Sequence, residues 1–205
     1  MIDKKVIYKL THGMYVLTTK DAGCFVDAVS QVGGGDQPLI SVAVMKKNFT
    51  NESMHKNDRF ALAIFGDKDD ASLIKTYGFN SSRDYDKFAN SHVIDISGTK
   101  VVDTTLGYII LEKIDAIEND THTIFIGRVI ESKMNDASKE PMTYAYYQAH
   151  KDELLTPVKT TKGKTAWVCT ICGYIEYDLK ELPDDYICPT CKHSASDFER
   201  IVNKP

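Results

Sequence analysis

Six stretches of the chain are rich in β-branched and aromatic residues and stop at Gly, Pro, Asn or Asp: residues 13–19, 25–31, 39–44, 60–65, 108–117 and 123–130. Runs of this length and make-up predict β-strands. Gly33-Gly34-Gly35-Asp36-Gln37-Pro38 breaks the second run from the third, and Glu118-Asn119-Asp120 breaks the last two. Both joins have the turn chemistry of hairpins. Helical signals are fewer. Residues 50–57 open on Thr-Asn-Glu-Ser, 69–77 open on two acids suited to a helix start, and 82–89 give a third candidate. Six strands with few helices predict a mainly β domain, a closed or nearly closed antiparallel barrel.

The pattern lapses at residues 156–165, Thr-Pro-Val-Lys-Thr-Thr-Lys-Gly-Lys-Thr, where Val158 is the only large apolar side chain. A segment that can bury so little reads as a linker. It divides the 205 residues into a domain at 1–155 and a module at 166–205. A module of that size rarely folds on apolar burial alone, and a structural metal is a usual remedy.

Charge narrows the partners. Residues 1–155 carry 18 Lys/Arg against 22 Asp/Glu, the linker adds three lysines, and the module carries 4 against 7. A nucleic-acid binder would show a basic face, so that class is excluded. An acidic module suits a positively charged protein partner. No apolar run approaches the ~20 residues of a membrane span. The opening Met-Ile-Asp-Lys-Lys lacks the apolar stretch of a secretory signal. The expected location is the cytoplasm.

Four of the five cysteines fall in the last 40 residues as Cys169-x2-Cys172-x15-Cys188-x2-Cys191. In a cytosolic protein, paired Cys-x-x-Cys turns bring four thiolates around one ion. Gly173 lets the chain leave the first turn, and Pro189 stiffens the second. Tetrahedral sulfur ligation suits both zinc and iron. The flanking residues are more specific. The chain reads W-V-C-T-I-C-G-Y-I-E-Y-D, then L-P-D-D-Y-I-C-P-T-C, then D-F. This resembles rubredoxin, which implies a mononuclear iron on the four cysteines inside a shell of Trp167, Tyr174, Tyr177, Tyr186 and Phe198. Such a shell limits water access and tunes a reduction potential. The stretch between the pairs is shorter than in full-length rubredoxins, and Lys192 stands where they have glycine. The alternative metal is zinc, in a structural ribbon.

Residues 1–150 resemble the flavin reductase-like, FMN-binding split-barrel family. The likeness runs through residues 13–19, Val29-Ser30-Gln31-Val32, 42–50, 78–88, Leu106-Gly107-Tyr108 and 122–127. It implies FMN. Lys46, Lys47, Asn48, Phe49 and Thr50 end a strand and enter a helix, and so offer a phosphate N–H groups, hydroxyls and cations. Arg83 and Lys87 would add charge from a neighbouring loop. The plainer reading of the lysine pair is a solvated helix entry. The resemblance places Ser30 and Gln31 beside the isoalloxazine; otherwise they are polar strand-end residues. His122, at a strand start, is the one candidate catalytic side chain, and its plainer role is a hydrogen bond at the barrel rim. Gly33-Gly34-Gly35 lies between strands with no helix after it, so it is not a dinucleotide fingerprint. A nicotinamide would therefore stack on the flavin directly. Cys24 reads as an inert strand residue. The string Pro141-Met142-Thr143-Tyr144-Ala145-Tyr146-Tyr147 reads as a tail packed on the barrel or part of a subunit interface, since the family is generally homodimeric.

A flavin reductase domain followed by rubredoxin is similar to the high-molecular-weight rubredoxins of anaerobic bacteria. The implied route runs from NAD(P)H through FMN and iron to an acceptor such as a flavodiiron oxygen or nitric-oxide reductase. Two alternatives stay open: an electron carrier without NAD(P)H activity, and a zinc-stabilised FMN-binding or interaction module.

Overall fold

The computed structural model describes residues 2–7, 9–155, 166–169, 175–177, 179–188 and 193–201. The chain separates into two units, Met1–Leu154 and Leu155–Pro205. The linker expected at 156–165 lies outside the described residues.

The first unit is built on one antiparallel sheet of seven strands: β1 (Tyr15–Thr18), β2 (Gly23–Val26), β3 (Val29–Gly33), β4 (Leu39–Met45), β5 (Arg59–Ile64), β8 (Gly107–Glu118) and β9 (His122–Met134). They lie in the order β2-β1-β5-β8-β9-β4-β3. The run at 25–31 is therefore two strands, not one. Asp27 and Ala28 divide it, and its halves pair with different neighbours, β2 with β1 and β3 with β4. This split shapes the whole sheet. β2 and β3 are its opposite edges, yet the three peptide steps from Val26 to Val29 span at most about 11 Å. The sheet must curl until its edges meet there, and the N–H of Ala43 on β4 donates to the Ala28 carbonyl at 3.0 Å. Cys24 and Val26 from one edge then share a core with Ile40, Val42 and Val44 near the other, around Phe60, Leu62, Leu111 and Phe125.

Alternation explains which faces are buried. β4 reads iBiBiBe from half-buried Leu39 to exposed Met45, and the first half of β9 alternates in the same way. Helix α2 (Phe49–Lys56) buries Thr50, Asn51, Ser53 and Met54, and Met54 joins the core of the sheet. Gly127 on β9 lets the strands close tightly, because a Cβ there would lie 2.8 Å from both Leu111 and the Phe60 ring.

Between β5 and β8 the chain departs from expectation. The helix expected at 69–77 is one turn, α3 (Ser72–Ile74), continued by a wider π-type turn, Lys75–Phe79. Asp70 accepts the Ser72 N–H at 2.9 Å and so starts the turn. Asp69 does not; its buried carboxylate takes the N–H groups of Gly66 and Leu106 and the ammonium of Lys139. No helix forms at 82–89. The Asp86 carboxylate binds the N–H groups of Phe88 and Ala89, and the Ser81 hydroxyl binds that of Arg83. Such local side-chain bonds compete with helix formation. A short hairpin follows, β6 (Ile94–Ile96) and β7 (Thr99–Val101). Its two-residue turn has φ 51° at Ser97 and 83° at Gly98.

Two helices lay outside the sequence expectations, α1 (Lys4–Ile7) and α4 (Tyr144–Leu154). The 141–147 string leads into α4 and is tied to the barrel. Pro141 bridges Gly66, Thr143 bridges Gly13, and the Met142 N–H donates to the Phe65 carbonyl at 2.8 Å.

The second unit holds a three-stranded antiparallel sheet of β10 (Ala166–Cys169), β11 (Ile175–Tyr177) and β12 (Phe198–Ile201), with β10 in the middle. Among the described residues no helix is long and apolar enough to cross a membrane.

Candidate flavin and metal sites

The end of β4 turns directly into α2 through Lys46, Lys47 and Asn48. Asn48 is the residue before the first helical turn, with extended backbone (φ −73°, ψ 132°) and no side-chain bond to the helix N–H groups. Asn48 and Thr50 lie beside the buried Cys24 thiol on β2. Burial pushes that thiol up from its ordinary range against the opposing influence of Lys87, Thr50 and Asn48. Cys24 is thus a buried, raised thiol on β2 beside the helix entry.

The loop at 81–88 docks on the same edge. The Ser82 hydroxyl bonds both the N–H and the carbonyl of Gly23 at 3.2 Å. From this loop Arg83 reaches back to α2. Its guanidinium lies over the Phe49 ring, 5.1 Å from the centroid, and pairs with Glu52. Asp21 and residues 82–88 line an open pocket of about 410 Å³. Burial works against the Asp21 charge, but bonds from Ser53, Thr19, Asn57 and its own backbone outweigh it and hold the carboxyl below its usual range.

Not every expected cation faces outward. Lys47 is exposed at the helix entry. Lys46 is paired with Glu118 at 2.8 Å, and this bond is the foremost cause of the lowered Glu118 pKa. Lys87 is turned inward, against expectation. It is 3% exposed, and its ammonium donates to the carbonyls of Gly23 at 2.7 Å and Tyr77 at 3.1 Å. Two main-chain acceptors outcompete solvent for it, so it holds the loop to β2 instead of offering a charge to a ligand. Burial drives its pKa down to about 8.

Ser30 and Gln31 lie exposed on the edge strand β3. Ser30 is opposite Ser41, four residues along β4 from Met45, or about 14 Å at the rise of a strand. As the last strand, β3 leaves alternate backbone groups without a strand partner. His122 starts β9 opposite Met45, and the Lys46 N–H donates to the carbonyl of its neighbour Thr121 at 3.0 Å. The structure therefore brings His122 to the α2 entry. Its ring Nδ1 lies 2.8 Å from the Thr121 hydroxyl.

In the second unit, Cys169 ends β10 and Cys188 lies 19 positions on, yet both side chains are wholly buried in one cluster with Phe198. Trp167, Leu182 and Tyr186 pack around it. Tyr186 meets Phe198 edge to face at 5.3 Å, and the Trp167 indole N–H donates to the Leu179 carbonyl at 3.0 Å. The Cys188 N–H donates to the His193 carbonyl at 2.8 Å. Three of the expected aromatic residues are thus in place. Cys172, Cys191 and Tyr174, and the side chain of Tyr177, lie outside the described residues. Two sulfur donors converging in a dry aromatic pocket fit a soft metal ion.

Residues 7–154 match the flavin reductase like domain family. Residues 167–199 match the rubrerythrin, rubredoxin-like domain. Over 98% of this chain and 100% of the relative, the sequence is 32% identical to the high molecular weight rubredoxin of Moorella thermoacetica. An NADH:FAD oxidoreductase from Streptomyces globisporus superposes with a TM-score of 0.62 at 17% identity, covering 70% of this chain and 90% of that one. The FMN-binding protein from Thermus thermophilus gives 0.56 at 20% identity, covering 65% and 79%. At these identities the two structures speak for the fold alone. With a flavin reductase-like domain followed by a rubredoxin-like domain, the chain belongs to the high-molecular-weight rubredoxins, electron-transfer oxidoreductases that join a flavin-binding domain to a rubredoxin-like one.

Proposed function

We propose that the chain takes electrons from NAD(P)H on a bound FMN and delivers them one at a time, through a mononuclear iron held by Cys169, Cys172, Cys188 and Cys191, to an acceptor such as a flavodiiron oxygen or nitric-oxide reductase. The observation that carries this reading is the joining of the two domains in one chain. When bound, flavin supplies the exchange between a two-electron donor and one-electron steps, and iron supplies a one-electron relay.

The residues divide the work by position. Lys47, the N–H groups of Phe49 and Thr50, and Arg83 would hold the flavin phosphate at the α2 entry. The start of a helix favours an anion there. Ser30 and Gln31, about 14 Å away along the sheet, would meet the ring. That separation is comparable to the reach of FMN from ring to phosphate. Lys87 serves the site indirectly by fixing the loop that carries Arg83. Buried Phe198 and half-buried Trp167 and Tyr186 would limit water access to the iron. Exposed Met45, Ile114, Ile117 and Ile130 on the neighbouring strands β4, β8 and β9 support a homodimer formed through this face of the sheet.

The test is anaerobic mixing of the purified protein with NADH or NADPH, with FMN, iron and zinc quantified beforehand. Flavin bleaching within catalytic time is expected, followed by reduction of an added one-electron acceptor. Cys172→Ser should leave the bleaching intact and abolish acceptor reduction. Acceptor reduction that survives the substitution refutes the iron route. Absence of bleaching marks a carrier charged by another protein, and a zinc content in place of iron marks a structural module.

A further inference from the structure

The phosphate reading leaves one contact unexplained. Arg83, the cation that loop 81–88 offers, is already occupied. Its Nη2 pairs with Oε1 of Glu52 while its guanidinium lies over Phe49. Glu52 belongs to the first turn of α2. That is the turn whose N–H groups a phosphate would use, and its preceding residue, Asn48, gives those groups no side-chain acceptor. A carboxylate therefore stands beside an anion site and holds the arginine of that site. The pair is not buried: the Arg83 and Glu52 side chains are 49% and 42% exposed. Ion pairs with that much water contact are weak and exchangeable. A phosphate dianion, with greater charge and more acceptor oxygens, would outcompete one carboxylate for a guanidinium.

We infer that Glu52 is a resident competitor for the flavin phosphate: it occupies Arg83 in the flavin-free protein, is displaced when the phosphoryl group binds, and so sets the affinity for the phosphorylated flavin. This rests on the phosphate reading above. Glu52 acts through Arg83 and is a positioning residue. The pairing holds Arg83 folded against Phe49 and ready at the site, at the cost of affinity. Removing the carboxylate frees the arginine and also removes a negative charge from beside the bound dianion. The two effects add, and each is specific to a ligand that carries the phosphate.

The experiment compares FMN with riboflavin, which shares the ring and ribityl chain but has no phosphate. Full-length protein stripped of flavin is titrated with each, following flavin fluorescence, for the native chain, Glu52→Gln, Arg83→Ala and the double variant. Glu52→Gln should tighten FMN binding about three- to tenfold, the scale of a surface ion pair plus a nearby like charge, and change riboflavin binding less than twofold. Arg83→Ala should weaken FMN and leave riboflavin unchanged. In the Arg83→Ala background, Glu52→Gln should lose the part of its effect that comes from freeing the arginine and keep only the smaller like-charge part. If Arg83→Ala leaves the preference for FMN over riboflavin intact, the phosphate reading fails and this inference with it. If Arg83→Ala abolishes the preference but Glu52→Gln does not increase it, the inference alone fails. It fails equally if Glu52→Gln acts undiminished without Arg83.

Discussion

Lys87 offers a quantitative test of how the loop is held. A lysine has an ordinary pKa of 10.5, and burial lowers this one to about 8. Between those values the folded protein binds fewer protons than the unfolded chain, so stability rises with pH across the window. Below pH 8 the full cost of burying the charge is present, about 3 kcal/mol for a shift of this size. By pH 9.5 roughly 2 kcal/mol of that cost is relieved. Burial pushes the Tyr77 hydroxyl up to about 12 and raises the Cys24 thiol; a variant that keeps both groups and lacks only the lysine cancels their common contribution. Lys87→Met keeps the apolar stem and removes the titrating group, while the carbonyls of Gly23 and Tyr77 lose a donor at a cost of about 1–3 kcal/mol each. Urea unfolding of both proteins, followed by circular dichroism from pH 7 to 9.5, isolates the term. The native protein should gain about 2 kcal/mol relative to the variant across that range. The one tryptophan, Trp167, lies in the second unit, so its fluorescence reports separately on that unit. A stability difference that does not change with pH would show that the ammonium is not buried as described.

Two further substitutions probe the frame around the site. Asp69→Ala removes a fully buried carboxylate from Lys139, 2.6 Å away, and from two backbone N–H groups; it should destabilise the first unit by about 3–5 kcal/mol, read by thermal melting. Gly107→Ala would place a Cβ 2.7 Å from the Lys133 carbonyl oxygen. A backbone atom cannot rotate aside, so a loss of about 1–3 kcal/mol in chemical denaturation is expected, with none if the β8–β9 ladder shifts freely.

Much of this architecture is local enough to read from residues. The β8–β9 hairpin forms around Asn119, whose side chain accepts the N–H groups of Thr121 and His122. The α2 entry follows the Lys-Lys-Asn-Phe-Thr string. Other features depend on partners distant in sequence. The break at Asp27–Ala28 does not disturb the composition of the strand; it exists because the two halves have different neighbours in the sheet. Residues 82–89 have ordinary helical composition, but Asp86 and Ser81 spend their side chains on local N–H groups. The inward turn of Lys87 depends on a carbonyl 64 positions away. One omission had a local sign. Ser97-Gly98 between the β-branched Ile94-Asp95-Ile96 and Thr99-Lys100-Val101 is a two-residue hairpin signal, and Asp95 supports it by accepting the Gly98 N–H at 2.8 Å. In the metal unit, Trp167, Tyr186 and Phe198 were legible because small metal-centred folds draw their few apolar residues to the ligands.

The two-residue link between the edges of the sheet also bears on how the barrel responds to its ligand. The loop that carries Arg83 is bonded to Gly23 on one edge, and Ser30 and Gln31 lie on the other, so the groups assigned to flavin straddle a seam closed covalently only by Asp27 and Ala28. A cofactor bound across it would act as a clasp, adding RT ln(1 + [L]/Kd) to the stability of the closed form. A circular permutant opened between Asp27 and Ala28 would keep every ladder of the sheet and lose only the tether. Its barrel would then depend on flavin for closure, turning a cofactor into a fastener and the melting temperature into a direct readout of occupancy.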